Sequence, residues 1–169
     1  MKDEITRLEG FFPYRLAVAA EGFSRALVAV YGRRYGLSRE EWRLLFLLAG
    51  TGQMTSLELS TRTTLDKVQV SRAAQRLEEK GLISRAIAPS DRRLRLYSST
   101  EAGRAMFADI LPQLEAQAEA ILQAMGPEGR AALERGVAAL SDALQQSESA
   151  LMTGGAKEDD PHLRATTTV

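Results

Sequence analysis

A chain of 169 residues can bury one adequate core but not two, and its 22 Lys and Arg against 22 Asp and Glu leave no formal net charge. That balance excludes a uniformly basic polymer-binding protein, so any nucleic-acid footprint must come from local segregation of charge. With no cysteine there is no disulfide, thiolate metal site or thiol redox sensor, and the single histidine, His162, stands in a polar tail unsuited to catalysis or metal binding.

Residues 1–10 are mixed and charged, with Leu8 as the first apolar anchor. The longest apolar run near the start, Leu16 to Ala20, falls far short of a secretion signal or a membrane span and is preceded by acids, so a cytoplasmic protein is expected. Phe11-Phe12-Pro13 starts a helix with proline at an early helical position. Leu16, Ala20, Phe23, Leu27, Val30 and Tyr31 then recur at helical spacing through Tyr35, and Gly36 stops the helix.

Ser38-Arg39-Glu40-Glu41 reads as a capping box for a second helix, whose buried face is expected to carry Trp42, Leu45, Phe46 and Ala49 and whose end is Gly50. After the loop Thr51-Gly52-Gln53, a further capping box, Thr55-Ser56-Leu57-Glu58, begins a third, shorter helix ending near Arg62. Thr63-Thr64-Leu65 is a poor helix former, and Asp66 suits the N-cap of a fourth helix with Gln69 reaching back. Helix, tight turn, helix is the spacing of a helix-turn-helix, although bundles without a DNA role contain it too.

Placed at 100° steps, Val70, Ala73, Ala74 and Leu77 of the fourth helix share one side, and Val68, Gln69, Arg72, Gln75, Arg76 and Glu79 the other. Two glutamines, two arginines and one small apolar group can in principle read adenine, guanine and a thymine methyl from the major groove. A merely solvated face would more often alternate Glu with Lys. Residues 62–95 hold nine Lys and Arg against four acids, a local charge of +5, and the rest of the chain holds 13 against 18, or −5.

Gly81 stops the fourth helix. Leu82-Ile83 enters a strand, Ala88-Pro89-Ser90-Asp91 supplies a turn, and Leu94, Leu96 and Ser98 alternate with Arg93, Arg95 and Tyr97 in the return. A two-stranded hairpin is not stable alone, so it must lean on the helices and leave its Arg-rich tip free to reach a DNA backbone or minor groove. Thr100 caps a long helix with Met106, Ile110, Leu114, Ala118, Ile121 and Met125 at helical period and Pro112 inside it. Gly126-Pro127 separates it from a last helix with Leu133, Val137, Leu140, Leu144 and Leu151 at heptad-like intervals. The long helices offer more apolar surface than a small domain covers, and a homodimer is the economical outlet.

The order of elements and the run VSRAAQRLEEKGLISRAIAPSDRRLRLYSSTEAG resemble the MarR family of winged helix-turn-helix transcriptional regulators over roughly residues 10–150. The resemblance implies a mainly α fold with a small β-hairpin wing, a homodimer built mostly by the first and last helices, and a recognition helix from about Asp66 to Lys80. It places dimerisation in 1–36 and 100–152 and the DNA-binding domain in 37–99, while residues 153–169, polar, Gly-rich and unpatterned, read as a disordered tail.

For the site, the resemblance and the helix pattern together assign base contacts to Val68, Gln69, Arg72, Gln75 and Arg76, and backbone contacts to Thr63, Thr64, Lys67 and the wing. Asp91 resembles the family's wing aspartate that orients Arg93, with Arg93 or Arg92 entering the minor groove. An effector pocket for a small aromatic carboxylate or phenol is implied, with Phe12, Arg15, Trp42 and Phe46 on the elements that would line it and Arg15 as a carboxylate anchor. Ser60 and Ser98-Ser99-Thr100 depart from the family's usual residues, and the absence of cysteine separates the chain from its peroxide-sensing branch. Double-stranded DNA, a second copy and a small effector are the partners expected, with no cofactor. A winged-helix module binding protein would favour an acidic outer face, and an enzyme would need a phosphate loop, a nucleophile or paired carboxylates that are not apparent.

Overall fold

The computed structural model describes residues 10–88 and 91–154, and within these the side chains of residues 88, 91–94, 148 and 150–154 fall outside the description. Leu8, the turn residues Pro89 and Ser90, the tail from residue 155, and the side chains of Asp91, Arg92 and Arg93 therefore lie outside the described residues. By its internal contacts the chain divides into two units, Met1–Ala120 and Ile121–Val169.

The first unit opens with helix α1, Phe12–Tyr35, with Pro13 in its first turn and Gly36 as a left-handed C-cap at φ 64°. Only Tyr31 of α1 is buried, with Leu27, Val28, Val30 and Tyr35 packed beside the core. The expected apolar stripe thus splits: its C-terminal half enters the core, while Ala20 and Phe23 stay exposed, as do Phe12, Tyr14 and Val18 off the stripe. Helix α2, Arg39–Thr51, starts at the expected Ser38/Glu41 capping box and buries Glu41, Trp42, Leu44, Leu45 and Leu48. Its inner face is therefore rotated from the expected one, since Phe46 is 46% exposed and Ala49 half-buried.

Of the expected loop Thr51-Gly52-Gln53, Thr51 closes α2 and Gln53 begins a short strand, β1 (Gln53–Thr55). Helix α3 (Ser56–Thr63) and helix α4 (Lys67–Glu79) follow, then strands β2 (Ile83–Ala88) and β3 (Asp91–Ser99). The sheet is antiparallel with order β1-β3-β2, so the hairpin gains a third strand through Met54 opposite Tyr97, and a register shift falls at Ile87/Ala88. Helix α5, Glu101–Gln123, runs on through Pro112 and sends Ile110 and Leu114 into the core.

That core is one cluster in which Leu44, Leu45, Leu48, Leu59, Leu77 and Ile110 are completely buried. Fully burying a side chain of this size contributes about 1.5–3 kcal/mol, and the cluster draws on α1 to α5 and the sheet, so the helix-turn-helix sits on a common scaffold. In the second unit, helix α6, Gly126–Gly154, carries Leu133, Val137, Leu140 and Leu144 exposed along its length. It runs two residues into the stretch read as tail from 153 onward. No described helix is long and apolar enough to cross a membrane.

Candidate nucleic-acid interface

Both helices of the helix-turn-helix begin with reciprocal caps that fix their first turns. Thr55 Oγ1 accepts from the Glu58 N–H at 3.2 Å while the Thr55 N–H donates to Glu58 Oε2 at 2.7 Å. Asp66 Oδ1 accepts from the Gln69 N–H at 2.8 Å, and the Asp66 N–H donates to Gln69 Oε1 at 3.0 Å. Each such cap contributes roughly 1 kcal/mol of helix stability.

The turn between the helices depends on Thr64, which adopts a left-handed backbone at φ 58° unusual for a β-branched residue. Its hydroxyl donates to the Thr63 carbonyl at 2.6 Å, and Arg43 Nη1 of α2 lies 3.4 Å from both that carbonyl and Thr64 Oγ1. Ser60 is not an idle departure from alanine, because its hydroxyl donates to the Leu65 carbonyl at 2.9 Å across the turn. Thr63 was expected to touch the DNA backbone, but it is 4% exposed and its hydroxyl donates to Leu59 O at 2.6 Å. Its side chain is part of the turn's interior, and Thr64 is the outward threonine.

Along α4 the expected division of faces is present: Val70, Ala73, Ala74 and Leu77 are buried, and Val68, Gln69, Arg72, Gln75, Arg76 and Glu79 are exposed. The exposed groups differ in availability. Arg72 has no hydrogen-bond or ion-pair partner among the described residues. Gln75 donates to Glu79 Oε1 at 2.9 Å, leaving its carbonyl oxygen outward, whereas Gln69 uses its carbonyl oxygen in the cap and retains its NH₂. Arg76 is engaged, its Nε 3.2 Å from Glu41 Oε1 on α2.

Composition and spacing did not single out Glu41 beyond its capping role. It is 2% exposed, accepts from the Ser38 N–H at 2.6 Å, and also receives Lys80 Nζ at 2.9 Å. Burial pushes its carboxyl up, but the Ser38 amide and the Lys80 and Arg76 cations together hold it below the usual carboxylate range. Only the helical position of Glu41, third in a capping box on an otherwise apolar face, hinted at this. Lys67 is exposed beside a cavity of about 410 Å³ that also takes in Ser56, Ser71, Arg95 and Tyr97.

The four residues expected to line one effector pocket do not share a cavity. Phe12 and Arg15 border one on the N-terminal half of α1 together with Tyr14 and Val18. Trp42 and Phe46 border another, of about 440 Å³, together with Arg43, Arg62 and Thr64. Trp42 is sandwiched between Tyr31 and Phe107, at centroid separations of 5.3 and 5.7 Å with nearly parallel planes, and Phe46 meets Phe107 edge-on at 5.8 Å. The cations near the aromatic wall are therefore Arg43 and Arg62, which sequence spacing could not place there.

Residues 35–94, from the end of α1 through the start of β3, match the sequence model of the MarR family. Over this helix-turn-helix segment the chain is similar to the MarR family. An HTH-type transcriptional regulator of Bacillus subtilis, YdgJ, whose function is uncharacterised, is 29% identical over 84 residues, which are 50% of this chain and 51% of YdgJ, so the chain spans about half the length of that relative. Among solved structures, the MarR family regulator Sco3205 of Streptomyces coelicolor, in complex with DNA, has a TM-score of 0.70 at 24% identity, covering 80% of this chain and 87% of that one. BpsR of Bordetella bronchiseptica, whose DNA binding is regulated by 6-hydroxynicotinic acid, has a TM-score of 0.70 at 21% identity, covering 79% and 94%. At these identities the likeness establishes the winged-helix fold.

Proposed function

We propose that the chain is a sequence-specific DNA-binding transcriptional regulator, a repressor that works as a homodimer on a pseudo-palindromic operator. The observation that carries this reading is the outward face of α4, where Val68, Arg72 and Gln75 stand exposed on a helix locked at its N-terminus by Asp66 and Gln69. Base contacts fall to Val68, Gln69, Arg72 and Gln75, with Arg72 presenting a bidentate donor to guanine. Thr64 and Lys67 contact phosphate, and Arg92 and Arg93 of the wing, with Asp91 orienting Arg93, contact the backbone or minor groove.

The exposed Leu133, Val137, Leu140 and Leu144 of α6, and the exposed aromatics of α1, support pairing with a second copy. Two recognition helices would then meet half-sites roughly 34–36 Å apart. An effector, a small aromatic carboxylate or phenol, would bind at the Trp42 and Phe46 wall with Arg43 as the cation that anchors its negative charge, rather than at Arg15. Arg43 also contacts the turn before α4, so a carboxylate drawing it away would favour a different placement of that helix. The DNA reading is tested by titrating the protein, at several salt concentrations, onto a labelled duplex from upstream of its own gene with an unrelated duplex as control. Preferential, salt-dependent binding is the expected result; equal binding to both duplexes contradicts it.

A further inference from the structure

The exposed side of α4 divides into two stripes. Val68, Arg72, Gln75 and Glu79 lie opposite the buried residues, whereas Arg76 and Lys80 lie one turn apart on the flank next to α2. On that flank stands the buried carboxylate of Glu41. Its Oε1 receives Arg76 Nε at 3.2 Å and Lys80 Nζ at 2.9 Å, its Oε2 receives the Ser38 N–H at 2.6 Å, and Lys80 Nζ also donates to the Gly36 carbonyl at 2.7 Å. One carboxylate thus ties the C-terminal end of the recognition helix to the corner between α1 and α2.

We infer that Glu41 is a specificity-determining positioning residue: it neutralises Arg76 and Lys80 and withholds both from the DNA backbone, so that α4 reads bases with Arg72 and its neighbours. This inference rests on the DNA-binding reading above. Neither cation could give its full charge to a phosphate without leaving a carboxylate that is 2% exposed with less compensation, which is strongly unfavourable. The pairing therefore persists on DNA. Cations kept from phosphate reduce non-specific affinity, because each phosphate neutralised adds about 0.9 to the slope of log affinity against log salt. Free, Arg76 and Lys80 would strengthen binding to every sequence alike and dilute the discrimination supplied by Arg72.

Glu41→Gln tests this with little change of shape, since the glutamine oxygen can still accept from Ser38 while the charge is lost. The full chain and the variant are titrated against the upstream duplex and a random duplex of equal length over a series of KCl concentrations. The variant is expected to show a salt slope steeper by about one to two and a several-fold lower preference for the upstream duplex. The triple variant Glu41→Gln, Arg76→Gln, Lys80→Gln is expected to return the slope to the wild-type value. An unchanged slope, with both duplexes weakened equally, would overturn the inference and leave Glu41 a purely structural residue. Arg76→Gln alone, which spares Glu41 and Lys80, supplies an independent readout: an unchanged slope supports the masking, and a slope reduced by about one overturns it. If the wild-type chain fails to distinguish the duplexes, the DNA reading falls and takes this inference with it.

Discussion

Gly103, in the first turn of α5, lies so close to Leu82, just before β2, that a Cβ on the glycine would overlap the Leu82 carbonyl oxygen and crowd Ser99 Oγ. The same carbonyl accepts from the Thr100 N–H at 3.1 Å, and Thr100 Oγ1 donates to the Gly81 carbonyl at 2.7 Å and accepts from the Gly103 N–H at 3.0 Å. The end of the recognition helix, the root of the wing and the start of α5 thus meet at one joint that has no room for a methyl group. Gly103→Ala is expected to lower stability by about 1–3 kcal/mol, read as a lower denaturation midpoint at unchanged m-value. A midpoint equal to that of the wild type would show that the joint relaxes freely.

The cap at Asp66 holds the recognition helix and also occupies Gln69. Asp66→Ala should cost about 1 kcal/mol in chemical denaturation and loosen the first turn of α4, where Val68 and Gln69 sit. Operator affinity should fall by more than affinity for a random duplex. Asp66→Asn retains an accepting oxygen and should largely restore both.

Stability should depend on pH through Glu41. Its carboxyl titrates below the ordinary value of 4.5 when folded, so the unfolded chain binds the proton more readily. The stabilisation is complete above about pH 4.5 and is lost as pH falls through the lower, folded value. Urea midpoints measured from neutral pH down into this range should fall less steeply for Glu41→Gln than for wild type. Parallel curves would remove Glu41 from the acid response.

The single tryptophan reports on the aromatic cavity. Trp42 is stacked on Tyr31 and Phe107 at the wall shared with Phe46 and Arg43, so an aromatic acid entering there should change its fluorescence and weaken operator binding together. Arg43→Ala should remove both responses to a carboxylate, whereas Arg15→Ala, in the separate cavity on α1, should leave them in place. Loss of the responses in Arg15→Ala would return the anchor to α1.

Much of this arrangement was legible because local chemistry wrote it. The three capping boxes at Ser38, Thr55 and Asp66, the stop at Gly36 and the two faces of α4 follow from short-range patterns that tertiary packing leaves unchanged. Strand β1 escaped notice because three residues carry little alternation and only Met54 turns inward; its partner Tyr97 lies more than forty positions away in sequence. The partners of Thr63 and Arg76 are not legible in the sequence for a related reason. A helical wheel records direction from the axis, and says nothing of the Leu59 carbonyl that takes the Thr63 hydroxyl or of the carboxylate on α2 that draws Arg76 aside. Phe12, Arg15, Trp42 and Phe46 sit on the elements that the resemblance implies line a pocket, yet Phe12 and Arg15 border a cavity on the N-terminal half of α1 and Trp42 and Phe46 a different one on α2.

Arg72 decides the reading of the recognition helix most directly. Affinities of wild type and Arg72→Ala for the upstream duplex and for a random duplex, measured in the same salt series, should converge in the variant. The loss for the upstream duplex is expected at about 1–3 kcal/mol for each base pair read, with a much smaller loss for the random duplex. Equal weakening of both duplexes would assign Arg72 to phosphate and contradict base recognition by this face of α4.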